Sequence, residues 1–343
     1  MWANGIRVAA TVVCCAAMTV GGGGLTRAAS DAGQATSVTD GAYQLVQEPE
    51  DGYQAIDDLI SSAHTSLDMT MYEFADATAL NAVIADQQRG VQVRVLLDQD
   101  FAGRKTNLDT MNQLTAAGIA AKWAPTNVIV HQKTIVVDGA LAAIGTGNLT
   151  SRYYSTSRDA WIFDSSAPQV AAVESTFDAD FSAADNNELG SATQAEGLVW
   201  SPGAQQPMVT AIESARTSVD FSSEELADPA IIDALAADAR RGVNCRIVMT
   251  DSASWKTGFG KVSAAGCQVH VYAADASLYI HEKQILTDGT DLTIGSQNAS
   301  AGSLNRNREL SVQLTTATTP TIVSNISTTF DQDFAGAPAW TGK

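Results

Sequence analysis

The chain has 343 residues, enough for one large domain or two of about 150 residues each. Its hydrophobic content of 45% is that of a folded protein and argues against disorder over most of the length. It carries 20 Lys and Arg against 38 Asp and Glu, a formal net charge of −18, and therefore repels polyanions at long range. This charge counts against broad nucleic-acid binding, although it does not exclude a local basic pocket.

The N-terminus has the pattern of an export signal. Arg7 precedes the apolar stretch Val8–Val20, which is too short to span a bilayer. Small residues follow, so residues 1–29 are interpreted as a signal peptide cleaved somewhere between residues 28 and 35. A short membrane anchor and a lipoprotein signal are the alternatives, but Cys14 and Cys15 lie too early for the latter. No later segment has an apolar run long enough to cross a membrane, and we expect a secreted, soluble mature protein.

The rest of the sequence contains an internal duplication. Residues 66–98 align with residues 218–250 at an offset of 152, and FDADF at residues 177–181 matches FDQDF at residues 330–334. This period far exceeds the roughly 20–50 residues of a solenoid repeat and indicates a duplicated domain. Residues 182–197 are polar, small and without pattern. We predict one domain at residues 41–184, a linker at 185–197 and a second domain at 198–343.

Each copy predicts a strand, a helix and a second strand. The segments SLDMTMY and SVDFSS have strand character, and Asp76 and Asp228 are good helix N-caps. Gly90 and Gly242 end the two helices, and alternating strands follow. This order predicts an α/β fold with helices on the faces of a sheet in each copy.

The most specific feature is a second repeat, His-x-Lys-x4-Asp-x6-Gly-(Thr or Ser)-x-Asn. On a strand, residues two apart face the same side, so each His projects together with its Lys. Two such units around a pseudo-twofold axis suit an anionic tetrahedral centre: Lys and Asn hold its oxygens, one imidazole attacks phosphorus and the other protonates the leaving oxygen. The residues concerned are His131, Lys133, Asp138 and Asn148 in the first copy and His281, Lys283, Asp288 and Asn298 in the second. Lysines are poor metal ligands and no Cys joins the set, so no metal or other cofactor is expected.

One carboxylate follows each motif at the same distance along the chain. Asp159 follows His131 at the same spacing at which Glu309 follows His281. Such carboxylates accept the Nδ1–H of a histidine and fix its tautomer. The alternative is that they pair with the adjacent Arg158 and Arg308.

Two cysteines lie in the second copy. In an exported chain, Cys245 and Cys267 suggest a structural disulfide. The alternative is a pair of buried thiols on neighbouring strands.

At these residues the sequence resembles the phospholipase D superfamily, whose signature is this duplicated motif with the trailing Gly-Ser-x-Asn; Thr146 replaces the first Ser. The resemblance implies two α/β sandwich domains in a pseudo-twofold dimer with one active site at their interface, a phosphohistidine intermediate and no required metal. It assigns His131 as the nucleophile and His281 as general acid and then base, with the exchange of these roles left open. It further implies that Lys133, Lys283, Asn148 and Asn298 hold the phosphoryl oxygens and that Asp159 and Glu309 orient the histidines. Asp138 and Asp288, at the turns, are expected to be structural.

Three further residues lie at strand C-termini, where α/β proteins build their sites. Tyr72, Glu73 and Glu225 are therefore candidate substrate-binding residues, and capping of the next helix is the alternative.

The motif does not separate the activities of the superfamily. Export favours a degradative hydrolase, the lack of transmembrane segments argues against a membrane-bound cardiolipin synthase, and acidity argues against a nuclease. We expect a secreted, monomeric phosphoric diester hydrolase of phospholipase D type. Its substrate is a phospholipid at a membrane or micelle surface, and transfer to alcohols is a second outcome. A secreted, metal-independent endonuclease, which would bind nucleic acid, is the alternative.

Overall fold

Two mixed β-sheets, one built mainly from each half of the chain, form the framework of the computed structural model. The structure describes residues 38–342. The predicted signal peptide at residues 1–29 and its cleavage region lie outside the described residues.

From residue 38 onward, the described part of the first half contains eight strands and four longer helices. The strands are β1 (Val38–Asp40), β2 (Tyr43–Glu48), β3 (Ser66–Met71), β4 (Gln92–Leu97), β5 (Ala120–Trp123), β6 (Lys133–Val137), β7 (Leu141–Gly145) and β8 (Ser157–Asp164). The helices are α1 (Gln54–Ser61), α2 (Ala77–Arg89), α3 (Gly103–Ala116) and α4 (Ala167–Ala183).

The second half repeats this plan. Its strands are β9 (Leu198–Ser201), β10 (Ser218–Ser222), β11 (Asn244–Thr250), β12 (Gln268–Tyr272), β13 (Tyr279–Ile280), β14 (Lys283–Thr287), β15 (Asp291–Gly295) and β16 (Glu309–Thr315). Its helices are α5 (Gln205–Glu213), α6 (Pro229–Arg240), α7 (Lys256–Ala265), α8 (Ala301–Asn305) and α9 (Pro320–Gly336).

Strand order confirms the predicted duplication. The first sheet has the order β1-β2-β8-β7-β6-β3-β4-β5, and the second has β12-β11-β10-β14-β15-β16-β9. The parallel pairs β3–β4 and β10–β11 have equivalent registers, Ser66 opposite Gln92 and Ser218 opposite Asn244. In each sheet the hairpin that follows the histidine lies antiparallel beside this pair. The fold is therefore two homologous α/β sandwich domains.

The helix caps expected from the sequence are present in both halves. The Asp76 carboxylate accepts the backbone N–H groups of Thr78 and Ala79, and Asp228 does the same at the start of α6. Gly90 adopts a positive φ of 94°, which permits the left-handed turn that ends α2. These caps place the C-terminal ends of β3 and β10 at equivalent positions.

The two halves share one apolar core between their sheets. Helices α1–α3 cover the outer face of the first sheet, and α5–α7 cover the outer face of the second. Between the sheets, α4 and α9 pack with strands of both halves; Ile162, Val173, Leu310 and Ile326 are all almost fully buried there. Burial of such side chains contributes about 1.5–3 kcal/mol each. The halves therefore form a pseudo-twofold dimer that cannot separate without exposing this core.

Two buried arginines cross the interface between the halves. Arg158 at the start of β8 donates from Nε and Nη2 to the Asp333 carboxylate of α9, at 2.7 and 3.0 Å. Arg308 before β16 donates to Asp180 of α4 in the same way, at 2.8 and 3.0 Å. Both aspartates are the second Asp of the FDxDF repeats. These paired crossings, which we call the arginine clamps, explain why this short motif is repeated.

Cys245 on β11 and Cys267, just after α7, form a disulfide. It ties α7 to the strand that precedes it, away from the interface between the halves. None of the helices in residues 38–342 is both long enough and apolar enough to span a membrane.

The clamps generate the first prediction. Asp180→Asn removes the only carboxylate paired with the buried Arg308 among the described residues, and should lower the free energy of unfolding by about 3 kcal/mol. Asp178→Asn is the matched control, because this side chain is 55% exposed and pairs with Arg94 at the surface; its loss should stay below about 1 kcal/mol. Urea titration measures both. Equal losses would contradict a structural role for the clamp.

Candidate active site

The two histidines lie immediately before β6 and β14, and each is anchored on the opposite half. The backbone N–H groups of His131 and of the next residue both donate to the carbonyl oxygen of Arg308, at 3.0 Å. The equivalent groups of His281 and its neighbour donate to the carbonyl of Arg158, at 3.2 and 2.8 Å. The arginine clamps therefore hold the main chain of both motifs.

The residue after each arginine orients a histidine across the interface. Asp159 Oδ1 lies 2.8 Å from His281 Nδ1, and Glu309 Oε2 lies 2.8 Å from His131 Nδ1. The carboxylates thus contact the histidines, while the adjacent arginines pair with Asp333 and Asp180. Each carboxylate serves the histidine of the other half, a crossing that the equal spacing within the two halves does not reveal.

Hydroxyl and amide donors hold these carboxylates in place. Thr146 Oγ1 donates to Asp159 at 2.6 Å, whereas Ser303 Oγ and Asn307 Nδ2 donate to Glu309 at 2.5 and 3.0 Å. Burial alone would raise the pKa of both acids, but the facing histidine, a lysine and a hydroxyl hydrogen bond together outweigh it and leave each pKa lowered. Thr146, the one departure from the usual motif, keeps the hydroxyl where the carboxylate needs it.

His131 lies in surroundings that disfavour its protonation. Its pKa is lowered, first by burial and then by the charge of Lys133. The neutral ring donates its Nδ1–H to the ionised Glu309, and the lone pair remains on Nε2.

The two lysines form a cationic floor beneath the histidines. Lys133 and Lys283 are almost fully buried, and Lys133 Nζ donates to the carbonyl of His131 at 2.5 Å. Burial, followed by the charge of Lys283, lowers the pKa of Lys133 to about 7. Within residues 38–342, Lys283 Nζ has no hydrogen-bond acceptor. An anionic group between the histidines would satisfy this floor.

Asn148 and Asn298 follow the hairpins and line the same cavity. The Asn298 side chain is further held by Ser223, whose hydroxyl lies 3.4 Å from its Oδ1. The site therefore brings together both copies of His, Lys and Asn.

Asp138 and Asp288 do not contact the histidines. Asp138 has a positive φ of 53° and accepts backbone N–H groups of His64, Thr65 and Ser66. Asp288 makes the equivalent bonds at the start of β10. These bonds outweigh burial and lower the pKa of each to about 2. Both aspartates fasten the hairpin turn to the neighbouring strand.

The flanking candidates Tyr72, Glu73 and Glu225 line the cavity. The Tyr72 ring meets His131 edge-on with centroids 4.7 Å apart, and Glu73 accepts from Thr106 Oγ1 at 3.1 Å. None of the three acts as the N-cap of the following helix; Asp76 and Asp228 do.

Sequence reasoning missed Glu224. Its Oε2 lies 3.4 Å from His281 Nε2 and 3.8 Å from Lys283 Nζ, and its Oε1 accepts from Tyr279 at 2.9 Å. Burial would raise its pKa, but the charges of His281 and Lys283 hold it well below the usual range. The offset of 152 from Tyr72 was the signal that could have identified this position.

A cavity of about 800 Å³ opens above the two histidines. No Lys or Arg is among the described residues that line it. Its carboxylates and aromatic rings are Glu73, Asp159, Glu224, Glu225, Glu309, Tyr53, Tyr72, Phe101, Tyr153, Tyr154 and Tyr279. In the described part of the chain, no group of three or more His, Cys, Asp or Glu is placed to hold a metal ion.

Comparison with known proteins agrees with this geometry. A family model described as "Cardiolipin synthase, PLD-like domain" matches residues 56–181 and again residues 208–334. A probable cardiolipin synthase of Bacillus subtilis, YwiE, is 28% identical over 148 residues, which are 41% of this chain and 29% of that protein. Phospholipase D of Rickettsia conorii is 33% identical over 92 residues, 27% of this chain and 45% of that protein.

A mitochondrial cardiolipin hydrolase of Xenopus tropicalis is 30% identical over 101 residues, 29% of this chain and 47% of that protein. Each match thus spans less than half of the relative. The crystal structure of a phosphatidylserine synthase from Haemophilus influenzae has the same fold, with a TM-score of 0.68 at 12% identity over 89% of this chain and 88% of that one. With a matching model over both halves and both motifs at one cavity, this chain belongs to the phospholipase D superfamily, in the family of cardiolipin synthase PLD-like domains.

Proposed function

We propose that this protein is an exported phospholipase D-type hydrolase that removes cationic head groups from glycerophospholipids, with alcohols able to replace water as acceptor. The observation that carries the proposal is the charge arrangement around the two histidines: two buried lysines lie beneath them, and the cavity above them has walls of carboxylates and aromatic rings. Such an arrangement complements a zwitterionic head group, in which a phosphate is joined to an ammonium.

The two histidines supply the chemistry. His131 Nε2 attacks phosphorus, a P–N bond forms, and the bond from phosphorus to the head-group oxygen breaks as His281 donates its proton to that oxygen. Water or an alcohol then attacks the phosphohistidine, His281 takes the proton of the attacking hydroxyl, and His131 leaves with the electron pair of the P–N bond. Asp159 and Glu309 keep each Nδ1–H oriented through both steps.

The cationic floor holds the phosphate. Lys283 Nζ, which lacks an acceptor among the described residues, is available to a phosphoryl oxygen, and Asn148 and Asn298 lie at the same cavity. A charge-assisted hydrogen bond from a buried ammonium strengthens as charge develops on the oxygens in the transition state.

The walls hold the head group. Glu73 and Glu225 are carboxylates at equivalent positions of the two halves, and tyrosine rings lie around them. Carboxylates and ring faces both attract an ammonium, and a ring face contributes roughly 0.5–2 kcal/mol. The same walls repel the neighbouring phosphates of a nucleic acid, which disfavours the endonuclease alternative.

Export and a monomeric state are also part of the proposal. The composition of residues 1–29 and the disulfide of the second half support an extracytoplasmic location. One chain supplies both histidines, so a monomer contains a whole site.

The second prediction concerns the substrate class. Purified protein is offered phosphatidylcholine vesicles and plasmid DNA in parallel, each with and without EDTA. Choline release that EDTA leaves unchanged, with intact DNA, is the expected result. DNA cleavage without choline release would overturn the lipase proposal, and loss of activity in EDTA would overturn the metal-independent mechanism.

The third prediction concerns the two histidines. His131→Ala and His281→Ala should each reduce choline release by at least about 100-fold, since each removes a nucleophile or a proton donor. His64→Ala is the matched control, because that side chain is 82% exposed and outside the cavity, and it should retain full activity. Near-normal turnover by either active-site variant would rule out the shared site.

The fourth prediction concerns head-group preference. Glu73→Gln combined with Glu225→Gln removes two wall carboxylates while keeping side-chain size. We expect kcat/KM for phosphatidylcholine to fall about tenfold relative to that for phosphatidylglycerol, whose head group has no cation. Glu213→Gln, at an exposed position of α5, serves as control. An unchanged ratio would show that the walls do not select the head group.

A further inference from the structure

The two half-sites differ at several equivalent positions, and one of these unlike pairs, Tyr72 and Glu224, lies beside the histidine rings. Tyr72 follows β3 and Glu224 follows β10, at the same offset of 152 that relates the two strands. Near His131 this position presents a phenol ring, with centroids 4.7 Å apart. Near His281 it presents a carboxylate oxygen 3.4 Å from Nε2.

The carboxylate contacts at Nδ1 are alike: each Nδ1 has a carboxylate oxygen at 2.8 Å from the opposite half, and each histidine has its lysine two residues later, at the first position of the following strand. His131 Nδ1 also lies 3.2 Å from the Ser296 carbonyl oxygen. Each lysine lies close to the member of the unlike pair in its own half. Lys133 Nζ is 5.0 Å from the Tyr72 ring centroid, and Lys283 Nζ is 3.8 Å from Glu224 Oε2. The difference between the half-sites at this position is therefore one negative charge.

That charge gives the two imidazoles different neighbours at Nε2. The charged groups around His281 are Asp159, Glu224 and Lys283, so both ring nitrogens face carboxylates and an N–H on each finds an acceptor. Around His131, Glu309 takes Nδ1–H, but Nε2 faces no carboxylate comparable to Glu224 among the described residues. Tyr72 stays neutral because burial raises its pKa. An N–H on His281 Nε2 thus has a carboxylate acceptor, whereas burial beside a lysine favours the neutral ring of His131.

We propose that Glu224 is a positioning residue that assigns the two roles, holding His281 as the proton donor and leaving His131 as the nucleophile. Glu224 acts through His281: at 3.4 Å its contact with Nε2–H is long enough to be displaced when the head-group oxygen takes that proton. The tyrosine at the equivalent position keeps the nucleophilic half free of a competing carboxylate. This inference rests on the proposed phosphodiesterase activity.

The test separates proton donation from head-group binding and from folding. Two lipids share one diacylglycerol phosphate and differ in an uncharged leaving group, ethanol or 4-nitrophenol. Ethanol leaves only if it is protonated, whereas 4-nitrophenolate departs without a proton. If wild-type protein turned over neither lipid, the proposed function would fail before the role of Glu224 was reached.

Glu224→Gln keeps the size of the side chain and removes its charge. We expect hydrolysis of the ethanol lipid to fall about 100-fold and that of the 4-nitrophenol lipid to change less than about threefold. His281→Asn is the reference for a lost proton donor and should release a burst of 4-nitrophenol while failing on the ethanol lipid. Equal losses of Glu224→Gln on both lipids, or no loss on either, would overturn the proposal.

The exchange of the pair provides a second readout. In Tyr72→Glu combined with Glu224→Tyr, the carboxylate lies beside His131, and the phosphoenzyme trapped by alkaline quench should carry its phosphoryl group on His281 instead of His131, as located by peptide mass spectrometry. Phosphoryl transfer to His131 at the wild-type rate in this variant would overturn the assignment. If the exchanged protein does not fold, the leaving-group comparison with Glu224→Gln decides alone.

Discussion

The arginine clamps are the interaction on which the rest of the structure depends. The side chain of Arg158 is fixed in a buried ion pair with Asp333 of the other half, its carbonyl accepts the backbone of His281, and the next residue accepts Nδ1–H from the same histidine. Arg308 does the same for His131. In each half, the arginine side chain, the arginine carbonyl and the carboxylate of the next residue therefore couple the packing of the halves to the orientation of the imidazoles.

This coupling has an energetic consequence. A buried ion pair offsets its own desolvation only when its geometry is good, so by itself it is weak evidence of stabilisation. Here the bidentate contacts also fix the register in which two sheets meet over a shared apolar core. Apolar contacts alone tolerate small slips, whereas a slip here would break both clamps and both histidine–carboxylate pairs together. The clamps therefore fix the relative position of the two halves and, with it, the geometry of the active site.

Much of the fold and of the motif residues could be predicted because the duplication preserves them side by side. Identical letters at equal spacing identify what both halves need: the N-cap aspartates, the hairpin turns, His, Lys and Asn. The crossing of Asp159 to His281 could not be predicted, because a spacing measured within each half is silent about contacts between halves. The function of the FDxDF aspartates was hidden for the same reason.

Glu224 was missed for the opposite reason. The C-terminal ends of the strands point to Tyr72, Glu73 and Glu225, whereas Glu224, which aligns with the unlike Tyr72, has no counterpart to draw attention to it. Alignment of the two halves finds identical residues, and identical residues mark what the two halves share. A reaction that needs one neutral and one protonated imidazole depends on what they do not share. The proposed division of roles therefore rests on an unlike pair, Tyr72 and Glu224, that a comparison of identical residues passes over.

The net charge of −18 also acquires a local meaning. The carboxylates on the histidines and cavity walls outnumber the two floor lysines, so the site does not attract anions by its overall field. Instead, Lys283 is buried without an acceptor among the described residues, and Lys133 has its pKa lowered to about 7, first by burial and then by Lys283. A phosphoryl group set between the lysines relieves both conditions, since it supplies the missing acceptor and favours the charged form of Lys133. Under the proposed function, affinity resides in the desolvated lysines and selectivity in the acidic walls, which would admit a phosphate that carries its own cation and reject one that belongs to a polyanion.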